Sequence, residues 1–310
     1  MRLSRAAATV LRATALAISL MGGGALTTGA APASAAVPAI PAEAKARKEL
    51  RALEAAFRGR IGAYAVDTAT GRTVSYRAGE RFPMLSTFKA PLCAAVLHRA
   101  RTREPGLLNR RVTWTAADMT PNSPVTAKHL KDGLTVSELC VAAITQSDGT
   151  ASNLLMDLIG GPAGLTAFFR TLKDPASRMD RRHPALNDWT PKDRRDTTTP
   201  AAMAGDLRAL ATGGALHPED RRQLVSWLRA SKLGAERIPA GLPGTWTIGH
   251  KTGTNSDGFG GGNDIAVIWP GKGAAPIVMA VYTNRTPGLP TDNATIARTA
   301  TVLARALGTR

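Results

Sequence analysis

Hydrophobic positions recur with two different periods along the chain, and each period dominates its own part of it. Leu50, Leu53 and Phe57 recur at helical spacing, and short strand-like runs follow after residue 60. Helical spacing then dominates from about residue 86 to 228, and strand-like runs return beyond residue 244. The outer parts predict two helices, over 44–58 and 293–307, and five strands, over 61–67, 73–77, 245–251, 264–269 and 277–283.

This distribution predicts an α/β fold of two domains. Residues 36–85 and 230–310 would form one discontinuous sheet-and-helix domain, and residues 86–229 an all-helical domain. The helical pattern is interrupted over 173–199, a stretch rich in Asp, Arg, Pro and Thr. Structureless loops of that length are usually functional in compact proteins.

The first 35 residues have the pattern of a secretory signal peptide. Three arginines precede and flank an apolar run over 13–20, and Ala33-Ser34-Ala35 offers a small-residue cleavage site. The run is too short for a stable membrane span. We therefore expect a secreted, extracellular or cell-wall-associated protein without stable membrane insertion.

Composition and charge narrow the function classes. The chain has 310 residues, 44% of them hydrophobic, and a net charge of +17, which indicates a globular and strongly basic protein. Its basic residues are scattered, with no basic helix and no zinc-finger spacing, so nucleic acid is not an expected partner. No His, Cys or Asp cluster has metal-ligand spacing. We expect no metal, no cofactor and a monomer that adheres to anionic wall polymers.

The two cysteines, Cys93 and Cys140, allow one pairing. In an exported chain an even count predicts a disulfide, and two buried free thiols are the alternative.

A serine and a lysine stand three residues apart in Ser86-Thr87-Phe88-Lys89. On a helix that spacing places both side chains on one face. A buried, neutral lysine amine could take the proton of the serine hydroxyl and so make it a nucleophile.

Two further segments carry groups that suit acyl transfer. Ser147, near the end of a helical run, offers a hydroxyl that can relay a proton. At a predicted strand end, Lys251, Thr252 and Thr254 offer an amine and two hydroxyls that suit a carboxylate. Gly253 between them lets a substrate approach the backbone closely.

In this order and on these elements, the three segments resemble the motif set of class A β-lactamases and penicillin-binding proteins. The resemblance to class A β-lactamases extends over about residues 45–308 and is densest at 123–155, 195–204 and 262–270. It implies an antiparallel sheet flanked by helices, an all-helical domain, and a small-molecule β-lactam substrate. Cys93 and Cys140 fall where many members of this family have a disulfide.

The resemblance also implies a role for each site residue. Ser86 would be the nucleophile, Lys89 its activating amine and Ser147 the relay to the β-lactam nitrogen. Lys251, Thr252, Gly253 and Thr254 would line the carboxylate subsite, and the N–H groups of Ser86 and Thr254 the oxyanion hole. Asn153 would tie the helical domain to the long loop, and Arg181 and Asp196 would clamp the ends of that loop.

One position departs from the family at the hydrolytic step. The family carries a glutamate in the long loop that activates the deacylating water. Here His183 takes its place, before Pro184, and no glutamate occurs between Glu138 and Glu219. Asn187 could still hold a water, and a neutral imidazole could accept its proton.

Other departures suggest a wider, more basic site. Gly149 replaces a usual Asn, Asn122 replaces a usual aromatic gate, and His250 replaces a usual Asp before Lys251. The arginine that often assists the substrate carboxylate has no clear match, and Arg285 is our best candidate for it.

Four functions remain open from the sequence. The favoured one is a serine hydrolase that opens β-lactam rings through acyl-Ser86, and the loss of the usual glutamate leaves open whether its deacylation is slow. The alternatives are a β-lactam-binding protein that acylates and stalls, an esterase, peptidase or biosynthetic acyl-transfer enzyme of the same fold, and a non-catalytic wall-binding protein.

Overall fold

The structure is a computed structural model, and it describes residues 41–255, 259 and 261–309. These residues belong to one compact unit. The predicted signal peptide, 1–35, lies outside them, and the domain boundaries at 85 and 230 stay a prediction.

Helices form wherever the sequence shows helical spacing. In the described residues they are α1 Pro41–Phe57, α2 Lys89–Thr102, α3 Val136–Thr145, α4 Gly149–Leu158, α5 Gly161–Thr171, α6 Pro200–Ala211, α7 Pro218–Arg229 and α8 Asn293–Leu307. The start of α3 is set by a capping box, in which the Thr135 and Glu138 side chains satisfy each other's backbone N–H groups. The Asp148 side chain caps α4 by accepting from Ala151 N at 2.8 Å.

The strands form one large sheet and two short ladders. They are β1 Gly59–Asp67, β2 Thr73–Tyr76, β3 Phe82–Pro83, β4 Arg111–Val112, β5 Leu134–Thr135, β6 Thr197–Thr198, β7 Thr247–Asn255, β8 Gly261–Trp269 and β9 Ile277–Arg285. The main sheet has the order β2-β1-β9-β8-β7, and all its pairs are antiparallel. The antiparallel sheet flanked by helices is the architecture that the sequence predicted.

Side chains of the central strands alternate between two hydrophobic cores. Val278, Ala280 and Tyr282 pack into the core shared with α2 to α7. Met279 and Val281, on the opposite face, pack into the core shared with α1 and α8. Because both faces of β9 are covered, its whole interior is apolar, and the sequence shows a continuous hydrophobic run instead of an alternating one.

Two predictions about local structure are wrong. β7 does not end at Lys251, because the ladder continues to the pair Asn255 and Gly261, so Lys251 to Thr254 lie inside the strand. The predicted disulfide is not formed either. Cys93 and Cys140 are buried free thiols, and Cys93 Sγ donates to the carbonyl oxygen of Cys140 at 3.8 Å.

The long loop lacks extended regular structure, as expected from its composition. Between α5 and α6 it contains one short 3-10 turn, Ala185–Asn187, and the two-residue strand β6. None of the described helices is long and apolar enough to cross a membrane.

Candidate active site

Ser86 lies in a 3-10 turn, Leu85–Phe88, that leads directly into α2. Leu85 before it has a left-handed φ of +49°, a conformation that is costly for a leucine and is often found at functional sites. Gly253 of β7 passes close to this turn, and a Cβ added there would lie 3.1 Å from Ser86 N. The absence of a side chain at 253 therefore keeps space around the Ser86 N–H group.

Two buried lysines converge on Ser147. Lys89 Nζ donates to the Ser147 carbonyl oxygen at 2.6 Å and lies 3.4 Å from its Oγ. Lys251 Nζ donates to the same Oγ at 3.1 Å and to the Thr252 carbonyl at 2.7 Å. The Ser147 hydroxyl therefore connects the Lys89 amine with the Lys251 amine of β7.

Burial changes the protonation of both amines. It lowers the pKa of Lys89 to about 7, an effect that Asp148 and Cys93 partly oppose. Burial, and then the neighbouring Lys89 charge, lower the pKa of Lys251 well below its ordinary value. Lys89 can thus be a free amine at neutral pH and accept a proton.

Asp148 holds the segment that follows Ser147. Its carboxylate is fully buried and accepts from Val125 N at 3.0 Å, Thr126 N at 3.0 Å and Thr126 Oγ1 at 2.9 Å. Ser147 itself has a positive φ of +57°. These bonds fix the turn in which Ser147 presents its hydroxyl and its carbonyl to Lys89.

The structure places Asn122 and Gly149 against the same turn. Asn122 Nδ2 donates to the Ser147 carbonyl at 3.3 Å, so this side chain is bound to the serine turn. A Cβ added at Gly149 would lie 2.6 Å from Thr120 Oγ1 and 2.9 Å from the Pro121 carbonyl, closer than real Cβ atoms come. The asparagine that the family usually carries at this position would therefore require the neighbouring segment to move.

The long loop is attached to α4 through Asn153. Asn153 Oδ1 accepts from His183 N at 3.0 Å, and its Nδ2 donates to the His183 carbonyl at 2.9 Å. The ends of the loop are joined by the Arg181–Asp196 ion pair, whose Nε and Oδ2 are 2.6 Å apart. Asp196 also accepts from the backbone N–H of Arg181 at 2.9 Å. These contacts bring His183 to the wall of the site.

The His183 imidazole is neutral at neutral pH. Burial, and then the Lys89 charge, lower its pKa to about 4. Its Nδ1 is buried with no hydrogen-bond partner among the described residues and faces Gly149, whose added Cβ would lie 3.4 Å away.

An arginine that the sequence did not reveal completes the site. Arg237 is buried and donates to Thr254 Oγ1 at 2.7 Å and to the Gly253 carbonyl at 2.8 Å. Arg285, the sequence candidate, instead donates to Asp292 at 3.2 Å, and its guanidinium lies 4.0 Å from the centre of the Phe57 ring. The prediction for Arg285 is therefore wrong. Arg237 stands in no motif, and only the fold brings it to β7.

These groups surround one cavity of about 460 Å³. Its lining includes Ser86, Ser147, His183, Asn187, Thr252 and Thr254. Asn187 is also tied to β7, because its carbonyl accepts from Asn255 Nδ2 at 2.9 Å. No cluster able to hold a metal occurs in the described part of the chain.

A serine at the start of a helix, a buried lysine with a lowered pKa and a second serine between two lysines are groups that suit acyl transfer. The family model described as "Beta-lactamase enzyme family" matches residues 45–307. The chain belongs to the beta-lactamase enzyme family, and its relatives identify it as class A, which confirms the resemblance seen in the sequence.

Curated and solved relatives share most of the chain. Beta-lactamase AST-1 of Nocardia asteroides is 49% identical and covers 83% of this chain and 82% of its own. The carbapenem-hydrolyzing beta-lactamase KPC of Klebsiella oxytoca is 48% identical, and the match covers 74% of this chain and 78% of KPC. The crystal structure of a beta-lactamase from Streptosporangium roseum is 64% identical, covers 86% of this chain and 100% of its own, and has a TM-score of 0.85.

Proposed function

We propose that the protein hydrolyses β-lactams through an acyl-enzyme on Ser86. The observation that carries this proposal is the pair of buried lysines that both contact the Ser147 hydroxyl, in the wall of the cavity that Ser86 also lines. Curated relatives that are named as β-lactamases and are 43–49% identical to this chain support the same reaction. A protein that only binds β-lactams is not favoured by these similarities.

Acylation uses Lys89 and Ser147 in sequence. The Ser86 hydroxyl oxygen attacks the β-lactam carbonyl carbon while the Lys89 amine accepts the hydroxyl proton. The ring C–N bond then breaks, and the nitrogen takes a proton from Ser147 Oγ, which in turn is reprotonated by the adjacent lysines. Two backbone N–H groups, those of Ser86 and Thr254, stabilise the oxyanion.

The substrate carboxylate binds beside β7. Thr252 and Thr254 offer hydroxyls in the cavity lining, Lys251 precedes them on the strand, and Arg237 adds a guanidinium through Thr254 Oγ1. Burial lowers the pKa of Arg237, but an arginine stays protonated at neutral pH. An anionic group on the substrate is therefore the expected determinant of its orientation.

Deacylation is assigned to His183 with Asn187. A conjugate acid with a pKa of about 4 makes the imidazole about as basic as an ordinary glutamate carboxylate, whose pKa is about 4.3. The His183 side chain lines the cavity together with Asn187 and Ser86. His183 would take a proton from a water that Asn187 orients, and the hydroxide would attack the acyl carbonyl carbon. The C–O bond to Ser86 would then break, and the His183 imidazolium would return the proton to Ser86 Oγ.

Steady-state hydrolysis tests the function. We expect the wild type to consume many equivalents of a penicillin per enzyme, and Ser86→Ala to consume none. Ser75→Ala, on edge strand β2 away from the cavity, is the matched control and should retain wild-type turnover. Unchanged hydrolysis by Ser86→Ala would contradict the proposal.

His183→Ala tests the second step separately. Loss of one positioned base costs about 10²–10⁴ in rate, so the variant should still form the acyl-enzyme but accumulate it. Intact-mass measurement detects that adduct directly. Wild-type turnover in His183→Ala, without accumulation, would remove His183 from the mechanism.

We also propose that the chain is exported. The N-terminal arginines, the apolar run over 13–20 and Ala35 support export. Detection of the mature N-terminus by mass spectrometry of culture medium and cell wall would test this, and a chain that keeps residue 1 would contradict it.

A further inference from the structure

We propose that His250 is a positioning residue for the substrate carboxylate: its bond to Asp264 keeps that buried carboxylate away from Arg237, whose guanidinium then remains available to the substrate. The inference rests on the β-lactam hydrolysis proposed above. It concerns a residue behind the cavity wall that contacts neither Ser86 nor the reacting atoms.

His250 and Asp264 form a buried pair on adjacent strands. His250 Nδ1 lies 3.0 Å from Asp264 Oδ1 and 3.1 Å from Oδ2, and the two residues are 6% and 0% exposed. In the register of β7 and β8, His250 stands opposite Ala266 and Asp264 opposite Thr252. The two side chains are therefore diagonal neighbours on one face of the sheet.

Asp264 also holds the backbone next to the site arginine. Its Oδ2 accepts from the backbone N–H group of Ile238 at 3.1 Å, and Ile238 is the residue that follows Arg237. Arg237 in turn donates to the carbonyls of Gly253, at 2.8 Å, and Asn263, at 2.9 Å. One carboxylate therefore binds both the His250 imidazole and the backbone N–H group that follows Arg237.

The charge of Asp264 explains why its bond to His250 matters for substrate binding. Arg237 is buried; burial lowers its pKa, and the Asp264 charge raises it in part. A carboxylate and a cation attract strongly when buried. If the imidazole donor is removed, a buried carboxylate must find another donor. The candidate is Arg237, because the carboxylate already binds the backbone of the next residue, Ile238, and already stabilises the arginine charge.

His250 acts from behind the cavity wall. Gly234 lines the cavity, and a Cβ added there would overlap the Thr252 methyl group and lie 3.5 Å from His250 Cε1. The imidazole is therefore one layer away from the substrate. Its effect should be confined to capture of the anionic group and should spare the chemistry at Ser86.

A penicillin and its methyl ester separate these effects. Both carry the reactive ring, but only the acid carries the carboxylate. The second-order rate constant for acylation of Ser86 is measured with each, by intact mass, in the wild type, His250→Ala and His250→Asn. An asparagine amide can replace the Nδ1 donor, so it is the conservative variant. His217→Ala, which removes an exposed His–Glu pair outside the cavity, is the matched control.

We expect His250→Ala to lower the rate with the acid tenfold or more and the rate with the ester less than threefold. His250→Asn should restore the acid rate to within threefold of the wild type, and His217→Ala should change neither rate. Equal losses with acid and ester, or no loss with either, would overturn the proposal. If the wild type is acylated by neither probe, the proposed function fails instead.

Discussion

The pH dependence of acylation follows directly from the burial of Lys89. The pKa of this amine is lowered from its ordinary 10.5 to about 7. At pH 7 about half of the molecules then carry a free amine, compared with about one in 3,000 for an unperturbed lysine. Burial therefore multiplies the concentration of active base by roughly 10³ at neutral pH.

The sign of the effect is fixed, because only the unprotonated amine accepts the Ser86 proton. The acylation rate constant should rise about tenfold per pH unit below pH 7 and level off above it. His183 should add no limb between pH 5 and 9, because its pKa lies near 4. Stopped-flow mixing with a chromogenic cephalosporin measures this constant.

Lys89→Arg is the matching perturbation. Arginine keeps its proton throughout this range and cannot act as the base, so acylation should fall by about 10²–10⁴. Lys128→Arg, at an exposed position in a short 3-10 turn, is the control and should leave the rate unchanged. A limb near pH 10, a rate independent of pH, or an active Lys89→Arg would refute the reasoning.

Three further outcomes follow from buried groups. Burial and the neighbouring Asp174 raise the pKa of Asp206 to about 10. The free energy of unfolding of the protein should therefore fall as pH rises from about 4, the pKa of an unfolded Asp, towards 10. Asp206→Asn should therefore have a higher free energy of unfolding than the wild type. The difference should grow between pH 5 and 8, by up to about 1.4 kcal/mol for each pH unit. A difference independent of pH would contradict this. Because Cys93 and Cys140 are free thiols, dithiothreitol should leave the thermal midpoint unchanged, whereas loss of a disulfide would lower it by several degrees. Arg237→Ala should raise KM for a penicillin about tenfold or more with kcat little changed, and a fall in kcat alone would place Arg237 in the chemical step.

The reacting groups could be predicted because they stand in short motifs on predictable elements. Ser86 and Lys89 are separated by one helical turn, and Lys251 to Thr254 follow one another along a strand. The helices could likewise be predicted from their period of 3.6. In these cases, the local sequence determines which side chains share a face.

The rest depends on tertiary contacts. Arg237 reaches Thr254 from a turn that has no motif, and only the packing of that turn against β7 brings them together. The crowding at Gly149 comes from Thr120 and Pro121, which are remote in sequence. The state of Cys93 and Cys140 depends on the separation of their sulfurs, which spacing along the chain does not determine.

In the proposed reaction, Ser86 is first acylated and the acyl group is then removed by hydrolysis. The direct test mixes the purified protein with excess penicillin and follows intact mass and product together. We predict product far beyond one equivalent and only a transient adduct, which maps to the peptide containing Ser86. One equivalent of product with a persistent adduct, or no adduct and no product, would contradict it.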